Sequence, residues 1–218
     1  MCGRFIHCND NRLINTDLLF LTMFHPLENI KDYDVILASG SPRRRELLGM
    51  LDIDFRVDTS HPVDETVPAG LPAKEVAPYL SRLKAEAYPL GDEEKKLVIT
   101  ADTVVIIDGR VLGKPADEAD ACRMLESLQG RTQKVITGVT VRTAKGMTTF
   151  SALSEVEFAP LSGDEIAYYV GKYRPFDKAG AYGIQEWIGA AGIKGITGSF
   201  YNVMGLPVQR LYSHLKTV

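Results

Sequence analysis

The sequence predicts an α/β fold built on a mixed β-sheet. Short β-branched apolar runs alternate with segments whose apolar residues recur at helical spacing, the pattern of strands connected through helices. The first apolar run is broken by Ser39-Gly40-Ser41-Pro42, a sequence that stops a strand and starts a helix. Later, two long runs flank Lys145-Gly146 as the arms of an antiparallel hairpin would, so both strand directions are expected in the sheet.

In chain order, Tyr33-Asp34-Val35-Ile36-Leu37-Ala38 reads as a buried strand. Ser41 suits an N-cap and Pro42 a first helical turn; Arg43 to Met50 continue that helix, with Leu47, Leu48 and Leu51 on one side and Gly49 weakening its end. Residues 53–57 alternate like a strand, and 58–72 form a proline-broken loop. Residues 73–88 read as a helix, with Val76, Leu80, Leu83 and Ala87 on one face. Residues 97–107 are the most strand-like run and end at Asp108-Gly109, a hairpin turn signal. A helix is expected over 117–128, stopping at Gly130, then strands over 132–143 and 148–158. Ser162 caps a helix over 162–171 that carries acids in its first turn, and 207–214 form a last short helix. No repeat or linker divides the chain.

The chain has 218 residues, 45% hydrophobic and 24% charged, enough for one packed core without a disulfide or metal staple. Lys+Arg number 25 and Asp+Glu 28, a net charge of -3 that argues against nucleic-acid binding by bulk charge. Cys2, Cys8 and Cys122 are odd in number and scattered, which fits neither a disulfide framework nor a zinc site and points to a reducing cytoplasm. His7, His25, His61 and His214 are equally dispersed and read as surface or core residues. No membrane partner is expected, since Leu18 to Phe24 is far too short to span a bilayer. Residues 1–22 differ from the rest and read as an N-terminal extension, with Met23 a second candidate start and 23–218 the domain. Within the extension, Met1-Cys2-Gly3-Arg4-Phe5 resembles the start of the SOS-response-associated peptidases, whose nucleophile is the second-position cysteine; the rest of that pattern is absent.

Three constellations bear chemistry. Ser39-Gly40-Ser41-Pro42-Arg43-Arg44-Arg45 joins a strand to a helix. Free N–H groups there favour an anion, Gly40 permits close approach, and arginines in a first turn oppose the helix dipole unless a phosphate is bound. The bland reading is a capped helix with solvated arginines. Thr100-Ala101-Asp102-Thr103-Val104-Val105 places a carboxylate inside an apolar strand, where it needs a partner. Asp102 is then a general base or a metal ligand, or else a strand residue at a solvated edge. Gly113-Lys114-Pro115 sets a lysine on a rigid turn, from which it can reach a phosphate as a point charge. Lys84 and Glu65 read by default as surface residues.

Together these runs resemble the Maf family of nucleotide pyrophosphatases. The likeness lies in Leu37-Ala38-Ser39-Gly40-Ser41-Pro42-Arg43-Arg44, Glu46-Leu47-Leu48, Asp64-Glu65, Ser81-Arg82-Leu83-Lys84-Ala85, Thr100 to Val105 and Gly113-Lys114-Pro115. It continues through Asp177-Lys178-Ala179-Gly180-Ala181-Tyr182-Gly183-Ile184-Gln185 and the run from Gly198 to Pro207. The resemblance implies an elongated mixed sheet flanked by helices, like that of the inosine-triphosphate pyrophosphatases, with a cleft between two lobes. It also implies hydrolysis of a nucleoside triphosphate to the monophosphate and diphosphate with Mg²⁺ or Mn²⁺. Arg43, Thr103 and Gln185 look like the branch acting on dTTP and UTP. Glu186, where a glycine is common, and Arg45, which makes the arginine run three long, depart from the pattern.

On that resemblance, Ser39, Ser41, Arg43 and Arg44 hold the triphosphate, and Lys84 and Lys114 neutralise charge. Glu65 and Asp102 hold the metal, Asp102 takes the proton from the attacking water, and Thr103 and Gln185 read the base. Modified pyrimidine nucleotides are further candidate substrates, a homodimer is a plausible assembly, and a non-catalytic nucleotide-binding regulator of cell division is the alternative function.

Overall fold

The computed structural model of the chain describes residues 25–91 and 95–218. The alternative start at Met23, the extension over 1–22 and the Cys2 motif lie outside the described residues. Strands β1 (Asp34–Leu37), β2 (Arg56–Val57), β3 (Lys96–Ile107), β4 (Arg110–Leu112), β5 (Thr132–Thr143), β6 (Gly146–Phe158) and β7 (Ile193–Thr197) form one seven-stranded sheet. Its order is β2-β1-β3-β5-β6-β7, with β4 beside β3. β1 pairs in parallel with β2 and β3, and the remaining pairings are antiparallel, so the expected mixed sheet is present. At 12 or 13 residues, β3, β5 and β6 each run about 40 Å, which makes the sheet elongated.

Helix α2 (Ala73–Ala87) covers one face of the sheet. Its Val76, Ala77 and Leu80 pack on Val104, Ile106 and Ile136. The other face carries the main core, against which α1 (Pro42–Gly49), α3 (Glu118–Leu128), α4 (Gly163–Tyr173), α5 (Trp187–Gly192), α6 (Phe200–Met204) and α7 (Val208–Leu215) pack through residues such as Leu48, Leu125, Tyr169, Ile188, Met204 and Leu211. Strand β3 serves both faces. Its Leu97, Ile99, Ala101 and Val105 join the main core, and the alternate residues Val104 and Ile106 meet α2.

Three devices fix α2. Gly138 of β5 lies directly under it: a Cβ there would sit 2.3 Å from Pro78 N and 2.4 Å from the Ala77 carbonyl carbon. Ser81 is fully buried, sharing a hydrogen bond with Thr140 Oγ1 at 3.0 Å while its carbonyl accepts from Thr100 Oγ1 at 2.6 Å. Arg142 Nη1 donates to the carbonyls of Ala85, Glu86 and Tyr88, closing the C-terminal end where the helix dipole favours a cation.

Most sequence expectations match to within a residue or two. Ser162 and Glu165 form the reciprocal capping box at α4. The strand expected over 53–57 shrinks to Arg56–Val57, because it has only the end of β1 to pair with, at Ile36 and Leu37. Ser41 occupies the N-cap position of α1, but its hydroxyl makes no capping bond. The helix expected at 207–214 lies at Val208–Leu215. The elements α5, β7 and α6 had no sequence expectation. Among the described residues, no helix is long and apolar enough to cross a membrane.

Candidate active site

Strand β3 builds the site. On its β1 side, pairing covers residues 96–99; on the same side β4 pairs from Val105 onward. Between them, residues 100–104 have no partner strand on that side among the described residues, while β5 pairs them on the other, and a cleft of about 690 Å³ opens there. Successive strand residues point to opposite faces. Asp102 accordingly faces α2, and Thr103 faces α1 and α6. Both line one cleft because the sheet is split at this window.

On the α2 side, Lys84 lies one helical turn beyond the buried Ser81, on the same face. Its ammonium donates to Asp102 Oδ1 at 2.7 Å and lies 3.1 Å from Glu65 Oε1. Lys84 and Asp102 are 19% and 13% exposed at the side chain, which makes this a largely desolvated pair in the cleft wall. The default surface reading of Lys84 and Glu65 therefore gives way: both belong to the Asp102 cluster.

On the opposite side, Arg44 is an anchor. Its Nε donates to the Gly205 carbonyl at 2.9 Å, Nη1 to Ser39 Oγ at 3.2 Å and Nη2 to Thr103 Oγ1 at 3.1 Å. Burial lowers its pKa, and the nearby Asp102 charge opposes that shift. Thr137 Oγ1 donates to the Asn202 carbonyl at 2.9 Å, so the 2.9 Å contact between the two threonine hydroxyls is a donation from Thr103 to Thr137. The Thr103 hydroxyl thus has its single proton engaged and retains only acceptor capacity toward a ligand. Arg43 reaches across the cleft to Asp177, Nη1 to Oδ2 at 2.9 Å.

All the residues expected at the site, Ser39, Ser41, Arg43, Arg44, Glu65, Lys84, Asp102, Thr103, Lys114 and Gln185, line this cleft. Lys114 follows β4, and the Gly113 carbonyl beside it accepts from Gly180 N at 3.0 Å. Glu65 and Asp102 offer hard oxygen donors on one wall next to the serine–arginine loop. That donor set fits Mg²⁺ or Mn²⁺ held by one or two carboxylates with phosphate oxygens completing the shell. Among the described residues, no group of three or more His, Cys, Asp or Glu gathers to form an all-protein cage.

Residue-level reading missed Asp177 and Lys178. Lys178 is 8% exposed and also lines the cleft. Burial works against ionisation of Asp177, but hydrogen bonds from Lys178 and Arg43 outweigh it and hold the carboxyl at a pKa of about 2. The signal available was Asp177-Lys178 itself, a pair of adjacent opposite charges in an irregular segment without periodicity. Asp58 also lines the cleft, and its carboxylate is kept well below the usual range by the Ser60 hydroxyl and the Tyr88 hydroxyl.

The chain also resembles known proteins. The dTTP/UTP pyrophosphatase of Bacteroides thetaiotaomicron is 53% identical over 190 residues, covering 87% of this chain and 98% of that protein. The protein of the same name from Phocaeicola vulgatus is 54% identical over 190 residues, with the same coverage, and that of Flavobacterium johnsoniae is 41% identical over 191 residues. Among solved structures, the Ham1 protein of Staphylococcus aureus aligns at 17% identity with a TM-score of 0.49, over 84% of this chain and 98% of that one, a likeness too loose to build on. The family model for Maf-like proteins matches residues 34–218, from the first strand to the last residue, and the chain belongs to that family.

Proposed function

We propose that the protein is a nucleoside triphosphate pyrophosphatase that hydrolyses dTTP and UTP to the monophosphate and diphosphate. The observation that carries this reading is the cleft at residues 100–104. There an acid paired with a lysine faces a serine–arginine loop, in a chain more than half identical to proteins named dTTP/UTP pyrophosphatase.

In the reaction, water attacks the α-phosphorus, the bond from that phosphorus to the oxygen bridging to the β-phosphate breaks, and diphosphate leaves. The uncapped start of α1 offers backbone N–H groups to phosphate oxygens, with the Ser39 and Ser41 hydroxyls beside them. Arg43 and Lys114 add charge from the cleft lining, and Arg44 fixes the loop through Ser39. Asp102 accepts the proton of the attacking water, held in orientation by Lys84. Mg²⁺ or Mn²⁺ held by Glu65 and Asp102 supplies charge neutralisation at the phosphates when bound. Gln185 offers both an amide donor and an acceptor to a pyrimidine edge, and Thr103 an acceptor; hydrogen-bonded reading of this kind discriminates strongly, because a wrong base leaves polar groups unpaired. The reducing cytoplasm suggested by the scattered cysteines is where such a substrate pool lies.

The test is diphosphate release from a panel of nucleoside triphosphates with Mg²⁺ or Mn²⁺, with Asp102→Asn in parallel. Release from dTTP and UTP that drops by about 10²–10⁴-fold in the variant is expected. Release by the variant at the wild-type rate would remove Asp102 as the base. A wild type that binds these nucleotides without releasing diphosphate would overturn the reading as an enzyme.

A further inference from the structure

A chain of alternating groups runs from Tyr169 to Arg43 through Glu186, the neighbour of Gln185 in sequence. Tyr169 of α4 is fully buried, and its hydroxyl donates to Glu186 Oε2. The same hydroxyl accepts from Gly183 N–H at 3.0 Å. The other Glu186 oxygen, Oε1, lies 3.1 Å from Lys178 Nζ. Lys178 Nζ also meets Asp177 Oδ1 at 2.8 Å, and Asp177 Oδ2 meets Arg43 Nη1 at 2.9 Å. Both carboxylates use both oxygens, so the chain runs without a gap from α4 to the phosphate loop on α1.

The segment it spans, 177–186, is held in an unfavourable backbone shape. Gly180 has φ +69 and Ala181, a residue with a Cβ, has φ +59 while fully buried. Left-handed backbone at a non-glycine residue persists only where its surroundings impose it, and such strain gathers at ligand clamps. Gly183 packs directly on the chain: a Cβ would sit 2.7 Å from the Glu186 carboxyl carbon and 3.0 Å from Lys178 Cε. A largely desolvated Lys–Glu pair such as this, 10% and 19% exposed at the side chains, contributes little net stability, because desolvation offsets its attraction. Its place beside a strained, ligand-facing segment points to a role in positioning.

We propose that Tyr169, Glu186 and Lys178 form a positioning unit that holds Gln185 and Arg43 in register, coupling recognition of the base to the grip on the phosphates. None of the three is assigned to the chemistry at Asp102. The proposal deepens the pyrophosphatase reading and rests on it for the identity of the ligand.

Two conservative variants test it. Glu186→Gln keeps the shape and an acceptor for Tyr169 but removes the charge facing Lys178. Tyr169→Phe keeps the ring and removes both hydroxyl bonds. Binding is measured calorimetrically with the non-hydrolysable analogues α,β-methylene-dTTP and α,β-methylene-dATP, alongside dTTP turnover and the melting temperature. Both variants are expected to lose about three- to tenfold of the wild-type preference for the thymidine analogue, the scale of one positioned hydrogen bond. The KM for dTTP rises in step and kcat is little changed. An unaltered preference in both variants, or a loss of kcat at constant KM, overturns the proposal; so does a fall in melting temperature with the preference intact. Wild-type protein that discriminates between the analogues yet releases no diphosphate from dTTP sinks the enzymatic reading and leaves the binding ratio to decide the positioning role. Wild-type protein that binds the two analogues equally overturns both the pyrimidine reading and the positioning unit.

Discussion

At the scale of single residues, Asp177 links the cleft to pH. Its folded pKa, about 2, lies below the ordinary 3.8, so its pairing with Lys178 and Arg43 stabilises the protein above the unfolded value and is lost as pH falls from about 3.8 toward 2. The side chain is 57% exposed, which screens the effect to the scale of a surface pair. Asp177→Asn is therefore expected to lower stability by roughly 0.5 kcal/mol at neutral pH, with the two unfolding curves converging near the acid limit. Thermal melts from pH 7 down to about 2 check this, and a gap that widens on acidification would contradict it. Asp102 was legible in the sequence because a carboxylate in an apolar strand demands a partner. Lys84 and Glu65 were not legible from the residues alone, since that partner comes from a helix and a loop whose approach is a tertiary fact. Asp177 and Lys178 stayed hidden for the same reason.

At the scale of elements, the contact between α2 and β5 is the one most sensitive to change. Gly138→Ala forces a Cβ to within 2.3 Å of Pro78 N, backbone against backbone, so the helix must shift or tilt. A destabilisation of about 1–3 kcal/mol is expected, readable as an earlier urea midpoint. Because α2 carries Lys84, kcat/KM should fall further than for a Gly→Ala change at the open position Gly163. Long strands with strong alternation, such as β5, and helices with side-chain caps, such as α4, were readable from sequence. The elements α5 and β7 were not. Trp187-Ile188-Gly189-Ala190-Ala191-Gly192 carries two glycines that weaken a helix signal in six residues, yet Gly189 is required by the tight turn: a Cβ there would sit 1.8 Å from the Ile184 oxygen. The helix α6 did carry a signal, since the Ser199 hydroxyl accepts from Asn202 N–H and Gly205 closes the helix at φ +119.

At the scale of the whole molecule, a net charge of -3 hides a cleft lined with Arg43, Arg44, Lys84, Lys114 and Lys178. Asp58, Glu65, Asp102 and Asp177 line it too, leaving the local balance one unit positive by these residues, 5 − 4 = 1. Attraction of a triphosphate is thus short-ranged and confined to this wall, and salt should weaken it. Raising ionic strength from about 0.05 M to about 0.5 M, which shortens the screening length to about 4 Å, is expected to raise KM about threefold or more with little change in kcat. Steady-state kinetics at the two salt levels decide the point. The split edge of β3 has a further consequence. Residues 100–104 leave one strand border unpaired, yet Thr100, Ala101 and Val104 are buried and β1 and β4 flank the window, so the border is recessed from any neighbouring chain that could add a strand there. Asp102 and Lys84 put charge in the middle of that border. The split that opens the cleft thereby also shelters its unpaired backbone from edge-to-edge pairing.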